Sequence, residues 1–355
     1  MKIEDSIKLD FSDVLIKPKR STLTSRKEAI LSRPFTFKYS SRPWSGIPIV
    51  SANMDTTGTF DMASVLSYYN MVTALHKHYT IDEMYEYISN QKLLTVQNNL
   101  FVSVGIGQED WGKYLLLREK LGYFPNVCID VANGYMEKFV QFCTNARDTI
   151  GDSAIIMAGN VVSSEMTEQL ILKGVDIVKV GIGSGAHCTT RVVAGVGYPQ
   201  LSAIIECADA AHGLGGHICS DGGITNPGDM VKAFGAGADF VMIGSEFAGH
   251  DESGGDEVYN DGEIVGKVTY GMSSSTAMKK HYGKVDEYRS SEGRTSVVPY
   301  RGPLLNTIQY YCGGLRSGMT YVGAKSLKEL SKRTTFIRVN RVLNEKYEKE
   351  TLTKR

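Results

Sequence analysis

Val175-Asp176-Ile177-Val178-Lys179-Val180-Gly181-Ile182-Gly183-Ser184-Gly185-Ala186-His187-Cys188-Thr189-Thr190-Arg191 is the stretch around which the rest of the chain is organised. The apolar run from Val175 to Val180, broken by Asp176 and Lys179, reads as a buried strand. Glycine then takes alternate positions at Gly181, Gly183 and Gly185. Without a Cβ, these residues accept backbone conformations and close approaches that others cannot. The loop can therefore turn its peptide groups toward a ligand or an ion. A thiol and two hydroxyls follow at once. Cys188, just past a strand end, stands where a nucleophile would. Taken alone, it is better explained as a small buried hydrophobe, which most free cysteines are.

The rest of the chain reverses that balance. Eight short apolar runs recur: Ile47–Ala52, Met71–Leu75, Phe101–Val104, Val127–Ile129, Ala154–Ala158, Ile177–Val180, His217–Ser220 and Phe240–Ile243. Between them lie segments with helical spacing of apolar residues, such as Met166, Leu170 and Ile171, and the stretch Leu201–Ala211. Eight alternating units predict an α/β protein of the closed (β/α)8 (TIM) barrel type rather than an open doubly wound sheet. No Gly-x-Gly-x-x-Gly opens the first unit, which counts against a Rossmann start. The expected organisation is one barrel domain over 1–355, with an N-terminal segment at 1–46, a Gly/Ser/acid-rich excursion at 249–300 and a charged tail at 341–355. Within the first of these, Asp10 to Arg20 reads as an edge strand or a plug.

Polar residues gather just past the runs: Asn53-Met54-Asp55, His76-Lys77-His78, Asp130 to Gly134, Gly159-Asn160, the Cys188 loop, Asp221-Gly222-Gly223 and Gly244-Ser245. In a barrel all of these share one rim, the rim where active sites are built. The last two fit a phosphate cradle. Their glycines free N–H groups for phosphate oxygens, and Asp221 can accept from sugar hydroxyls. Asp-Gly-Gly alone is equally a tight turn. A free thiol titrates near ~8.5, so Cys188 needs help to become a thiolate near neutral pH. Thr190 is close in sequence, and Glu292 lies on the excursion, which can fold over the mouth. By composition Glu292 is one of many surface acids. His187 is adjacent, but neighbouring side chains on an extended loop point apart, so it ranks low as a base.

The bulk numbers exclude several classes. Of 355 residues, 42% are hydrophobic, and Lys+Arg and Asp+Glu both total 39. Neither nucleic acid nor an anionic membrane is favoured by such a balance. The six cysteines form no C-x-x-C pair or zinc spacing. No apolar signal region follows Met1, and no run reaches membrane-span length, so a reducing, cytoplasmic setting is expected.

Gly183-Ser184-Gly185-Ala186-His187-Cys188-Thr189-Thr190-Arg191, followed by Gly195-Val196-Gly197-Tyr198-Pro199-Gln200, resembles the catalytic loop of the IMP dehydrogenase/GMP reductase family. The likeness extends from Lys8 to about Arg338. Asn53-Met54-Asp55-Thr56, His76-Lys77-His78-Tyr79, Asp130 to Tyr135, Gly271-Met272-Ser273-Ser274 and Thr334 to Arg338 are similar to the reductase branch. Dehydrogenases usually insert regulatory modules after the second strand; here the segment to the third is too short for them. Tyr288-Arg289-Ser290-Ser291-Glu292-Gly293-Arg294-Thr295 likewise replaces the dehydrogenase flap's Arg-Tyr pair.

The resemblance implies NADPH-dependent reductive deamination of GMP to IMP, with ammonia released through a covalent thioimidate on Cys188. Thr190 and Glu292 would move the proton. It implies nucleotide contacts at Asp221, Gly222, Gly223, Gly244, Ser245, Gly271, Met272, Ser273, Arg289, Ser290, Ser291 and Gly293. Cofactor contacts are implied at Ser25, Arg26, Lys77, Asp130, Val131, Ala132, Ile182, Gly183, Tyr288, Ser317, Gly318, Met319 and Thr320. A potassium ion on the carbonyls of Gly183, Gly185, Cys188 and Arg191 and a homotetramer are implied as well. The chain departs from the pattern at Ser184, Ala186, His187, Ser245 and Gly318-Met319, all at the expected site. The alternatives are a dehydrogenase without regulatory modules, a reductase with shifted specificity such as dGMP, a flavin-dependent phosphate-binding barrel, and a nucleotide-binding regulator without catalysis.

Overall fold

The computed structural model describes residues 3–91, 94–285 and 290–340. Eight parallel strands close into a barrel in sequence order. They are β1 (Ile49–Ser51), β2 (Val72–Leu75), β3 (Leu100–Val104), β4 (Asn126–Asp130), β5 (Ile156–Val161), β6 (Ile177–Val180), β7 (His217–Asp221) and β8 (Phe240–Ile243). The ring shuts where Val241, Met242 and Ile243 pair with Ile49, Val50 and Ser51. Every expected strand is present, two of them with both ends as expected and the others with ends moved by at most three residues.

Strand alternation divides the apolar residues into two layers. Val50, Val72, Phe101, Cys128, Met157, Ile177, Cys219 and Met242 fill the barrel. Val127, Ile129, Ile156, Val178, Val180 and Ile218 face outward onto the helices. Both faces are thus buried, which is why the strands read as near-continuous apolar runs. The helices predicted at Met166 and at Leu201 are Ser164–Leu172 and Gln200–Gly213.

Of the two readings of Asp10 to Arg20, the edge strand is the one observed, and a plug comes from a stretch further on that was not expected to supply it. Val14–Ile16 is an edge strand paired antiparallel with Phe336–Arg338. The plug is a separate hairpin, Arg33–Phe35 with Trp44–Gly46, at the opposite mouth from the polar rim. Phe35 stacks on Phe240, the first residue of β8, at 4.5 Å between centroids.

The excursion is more ordered than its composition suggested. Glu257–Asn260, Glu263–Tyr270 and Thr295–Pro299 form an antiparallel sheet, and Ser275–Tyr282 is a helix capped by the Ser274 hydroxyl. The chain then returns to the barrel through helix Leu305–Val322, which packs on Pro227–Gly235. No helix among the described residues is long and apolar enough to cross a membrane. The predicted tail at 341–355 lies outside the described residues.

Candidate active site

The loop after β6 folds tightly because its glycines leave room. Gly181 (φ 150°) and Gly183 (φ 82°) hold conformations rare for other residues. A Cβ on Gly181 would stand 2.0 Å from the Asp221 carbonyl oxygen. The loop curls back on itself where the Cys188 N–H donates to the Gly185 carbonyl at 3.0 Å. Cys188 is half-buried. Its thiol donates to Thr190 Oγ1 at 3.2 Å, and that hydroxyl donates to Glu292 Oε2 at 2.7 Å. Glu292 is therefore not one surface acid among many.

Backbone pairing carries Glu292 there. Cys188 and Gly293 form an isolated antiparallel bridge, flanked by Thr189 N–H to Glu292 O at 3.0 Å and Arg294 N–H to His187 O at 3.0 Å. From the other side, Glu292 N–H donates to Ser273 O at 3.2 Å. The excursion thus lays a strip of chain along the nucleophile loop. His187 points into this junction. It is 8% exposed, and its Nε2 lies 3.0 Å from Ser296 Oγ. Burial, and then the Arg294 charge, hold its pKa below the usual histidine range. It is neither a base aimed at the thiol nor a solvated surface group. It fastens the loop to the excursion sheet.

Cys188, Thr190 and Glu292 open into a cavity of about 310 Å³ that is also lined by Asp221, Gly222, Gly223, Gly244, Ser245, Gly271, Met272 and Ser273. Gly222 (φ 98°) and Gly223 (φ 81°) turn the backbone after β7 into it. A Cβ on Gly222 would meet Ser184 Oγ at 2.6 Å, so the loops after β6 and β7 touch only because that residue is glycine. Ser184 and Ser245 both bring hydroxyls to this wall. A second cavity of about 290 Å³ adjoins the first. Lys77, His78, Ser103, Tyr282 and Ser290 belong to it alone, whereas Asp130, Val131, Ala132, Met272, Ser273 and Glu292 line both.

The sequence profile described as the IMP dehydrogenase / GMP reductase domain matches residues 8–346. The chain belongs to this family. It is 56% identical to a GMP reductase of Caenorhabditis elegans over 346 residues, covering 98% of this chain and 96% of that one. It is 57% identical to a GMP reductase of Escherichia coli (strain K12 / DH10B) over 348 residues, 97% and 99% of the two chains. A crystal structure of a cysteine-to-alanine variant of GMP reductase from Trypanosoma brucei, in complex with guanosine 5'-monophosphate, superposes with a TM-score of 0.81. It is 26% identical in sequence and covers 94% of this chain and 96% of its own.

Within the family frame, the expected nucleotide residues mostly converge. Ser291 and Gly293 do not line the first cavity; they shape it. Ser291 Oγ donates to Gly293 O at 2.9 Å and accepts from Ser275 N–H at 3.0 Å, which closes the turn beside Glu292. Ser290 faces the second cavity. Arg289 and Tyr288 lie outside the described residues.

The expected cofactor residues fall into two groups. Lys77, Asp130, Val131 and Ala132 share the second cavity, and Ile182 and Gly183 line the first. Burial works against the Lys77 ammonium, but Asp110, 2.9 Å away, outweighs it and raises the pKa. Ser25, Arg26, Ser317, Gly318, Met319 and Thr320 line neither cavity. Ser25 caps the short turn Arg26–Glu28, which packs on helix Leu305–Val322. Met319 is fully buried, and a Cβ on Gly318 would stand 2.4 Å from Val231 Cγ1. Gly318-Met319 is therefore a packing pair between two helices.

Two residues not assigned to the site in the sequence reading help build it. Lys179, read as an interruption of an apolar run, is buried between Asp130 and Asp221. Asn160, read only as a rim residue, donates to Gly181 O at 2.8 Å and Asp221 Oδ2 at 2.9 Å. The signal for Lys179 was its spacing, two residues beyond Ile177 on the inward side of a strand.

Proposed function

We propose that the chain reduces GMP to IMP, releasing ammonia, with NADPH as the hydride source. The observation that carries this is the hydrogen-bonded line from Cys188 through Thr190 to Glu292, ending where the two cavities meet. The nearby relatives named GMP reductase support the same chemistry.

The purine fits the first cavity, with its sugar toward Asp221 and its phosphate toward Gly222, Gly223, Gly244 and Ser245. The Cys188 proton passes to Thr190 as the hydroxyl proton passes to Glu292, which leaves a thiolate. The sulfur attacks C2 of the purine, and Glu292 returns a proton to the amine through Thr190 as the C–N bond breaks. Ammonia leaves, and a thioimidate joins C2 to Cys188. The nicotinamide, when bound, supplies hydride to C2. The C–S bond then breaks and the thiolate is regenerated. Lys77, Asp130 and Ala132 are the residues of the second cavity suited to hold the dinucleotide, with Glu292 between it and the thiol.

A potassium ion is part of the reading. Its proposed ligands, the carbonyls of Gly183, Gly185, Cys188 and Arg191, are neutral oxygens of the class suited to a weakly held monovalent cation. The Gly185 oxygen accepts one hydrogen bond, from Cys188 N–H, and retains a second lone pair. Arg191 pins the loop through Asp10 Oδ2 and Tyr198 O, both at 2.8 Å. Among the described residues no cluster of His, Cys, Asp or Glu offers a different metal site. A homotetramer is also proposed. The separation of Ser25, Arg26 and 317–320 from the cavities favours it, because another copy can bring such a patch to a cofactor site. The balanced charge supports a soluble enzyme of the cytoplasm with no role for nucleic acid or membrane.

A substrate panel tests the reading. GMP, dGMP and IMP are each supplied with NADPH or NAD, and nicotinamide absorbance and ammonia are followed together. GMP with NADPH is expected to yield equal amounts of IMP and ammonia. Oxidation of IMP by NAD as the faster reaction would assign the dehydrogenase instead, and faster turnover of dGMP would assign shifted specificity to the Ser184 and Ser245 wall.

A further inference from the structure

Alternation fixes what crowns the inner layer of the barrel. Ile177 packs inside, and Lys179, two residues on, shares its face. The same step runs from Cys128 to Asp130 in β4 and from Cys219 to Asp221 in β7. β5 lies between β4 and β6, and its residue at that level is Gly159, in register with Asp130 on one side and Lys179 on the other. A Cβ there would stand 2.5 Å from Lys179 O and 2.6 Å from Lys179 Cβ. The bare backbone of Gly159 therefore clears the path by which the lysine stem crosses β5.

The ammonium reaches Asp130 Oδ1 in close contact and Asp221 Oδ2 at 3.2 Å. Lys179 has 1% of its side chain exposed, against 36% for Asp130 and 23% for Asp221. The cation is sealed underneath while both carboxylates open upward. Asp130 lines both cavities, and Asp221 lines only the one that holds Cys188.

We propose that Lys179 is a positioning residue, the shared counter-ion that ties the carboxylate of the nucleotide cavity to the carboxylate of the dinucleotide cavity. This rests on the reading of the two cavities given above. One ammonium offsets the repulsion between the two carboxylates and holds both aimed at ligand hydroxyls. Without it, two carboxylates would face each other across the floor of one cavity with nothing between them, and the pair would take up a proton. The other groups facing this cluster do not replace it. The Cys128 and Cys219 thiols, from β4 and β7, are held neutral by burial, Cys128 being pushed up to about 12. Lys77 acts on Asp130 from the loop after β2, and Asn53 and Asn160 contribute uncharged amides.

The test is calorimetric binding of GMP, and separately of NADP, from about pH 6 to about pH 9. The proteins are the wild type, Lys179→Met, and Lys179→Met combined with Asp130→Asn. Wild-type GMP affinity should be nearly flat with pH. In Lys179→Met it should be weaker by about tenfold or more at high pH and recover as pH falls and the pair gains a proton. The double variant should regain GMP affinity across the range while NADP binding stays weak. A flat profile for Lys179→Met, or no regain in the double variant, would show that the lysine only fills space. Should Lys179→Met fail to fold, the double variant decides alone: GMP binding with weak NADP binding supports the proposal, and no GMP binding overturns it. A wild type that binds neither ligand would instead overturn the assignment of the cavities.

Discussion

Cys188 and Gly293 pair across an antiparallel bridge, so the backbone that carries the thiol is held against the backbone that carries Glu292. The proton path is thereby set by main-chain geometry and not by the reach of a long side chain. A carboxylate anchored this way loses little conformational freedom when it meets Thr190.

Cys188→Ala should lower turnover by about 10⁴-fold or more, because among the described residues no other thiol lines either cavity. GMP affinity, measured by calorimetry, should stay within a few-fold of wild type. Comparable turnover would remove the thiol from the reaction.

Glu292→Gln should slow ammonia release by about 10²-fold or more, and hydride transfer less, because only the first step protonates a leaving amine. Rapid-mixing measurement of ammonia and of NADPH oxidation separates the two. Since Thr190 joins the acid to the thiol, Thr190→Ala combined with Glu292→Gln should cost little more than the worse single change. Multiplicative losses would mean that the two act apart.

Gly293→Ala probes the bridge itself. A Cβ there would stand 2.9 Å from Ser274 N and 3.2 Å from Gly271 Cα, so the strip must shift away from its neighbours. A displacement on the order of 1 Å at reacting groups costs about 10²-fold, and kcat should fall on that scale. The main thermal transition should be retained, because the barrel layers do not include this residue. A variant with full activity would show that the pairing is dispensable.

Acid should weaken the fold through two histidines. Burial holds His76 and His78 at about 4, in His76 against the opposing pull of Asp55 and in His78 reinforced by His281. An unfolded chain protonates both as pH falls through about 6.5, and the folded protein waits until about 4. Their contribution is therefore intact above the higher value and declines between the two. Thermal midpoints followed down this range should drop, with a shallower slope in His78→Gln. An unchanged slope would count against this origin.

The barrel was legible because strands buried on both faces leave short, nearly unbroken apolar runs, as at Ile177 to Val180. The excursion sheet was not. Glu257–Asn260 and Thr295–Pro299 leave most of their residues partly or wholly exposed, so they carry polar side chains and resemble loop. The site was legible where residue type announces chemistry, as at Cys188, and illegible where a partner arrives through folding. Nothing in the composition near Ser296 marks it as the residue that meets His187. Lys179 was hidden for another reason: its partners stand on strands β4 and β7, and the space it crosses is created by the side chain that Gly159 lacks.

The excursion sheet has a further consequence for how the protein comes apart. Its strands Glu257–Asn260 and Thr295–Pro299 bury little, while the barrel beneath has two complete apolar layers. Regions with few buried apolar contacts open at lower free energy than the global transition. Amide hydrogens of Thr189 and Arg294, which bond across the junction, should then exchange with solvent well before those of β6. Mild denaturant would silence the chemistry while the barrel stays folded, and dilution would restore it without refolding the core.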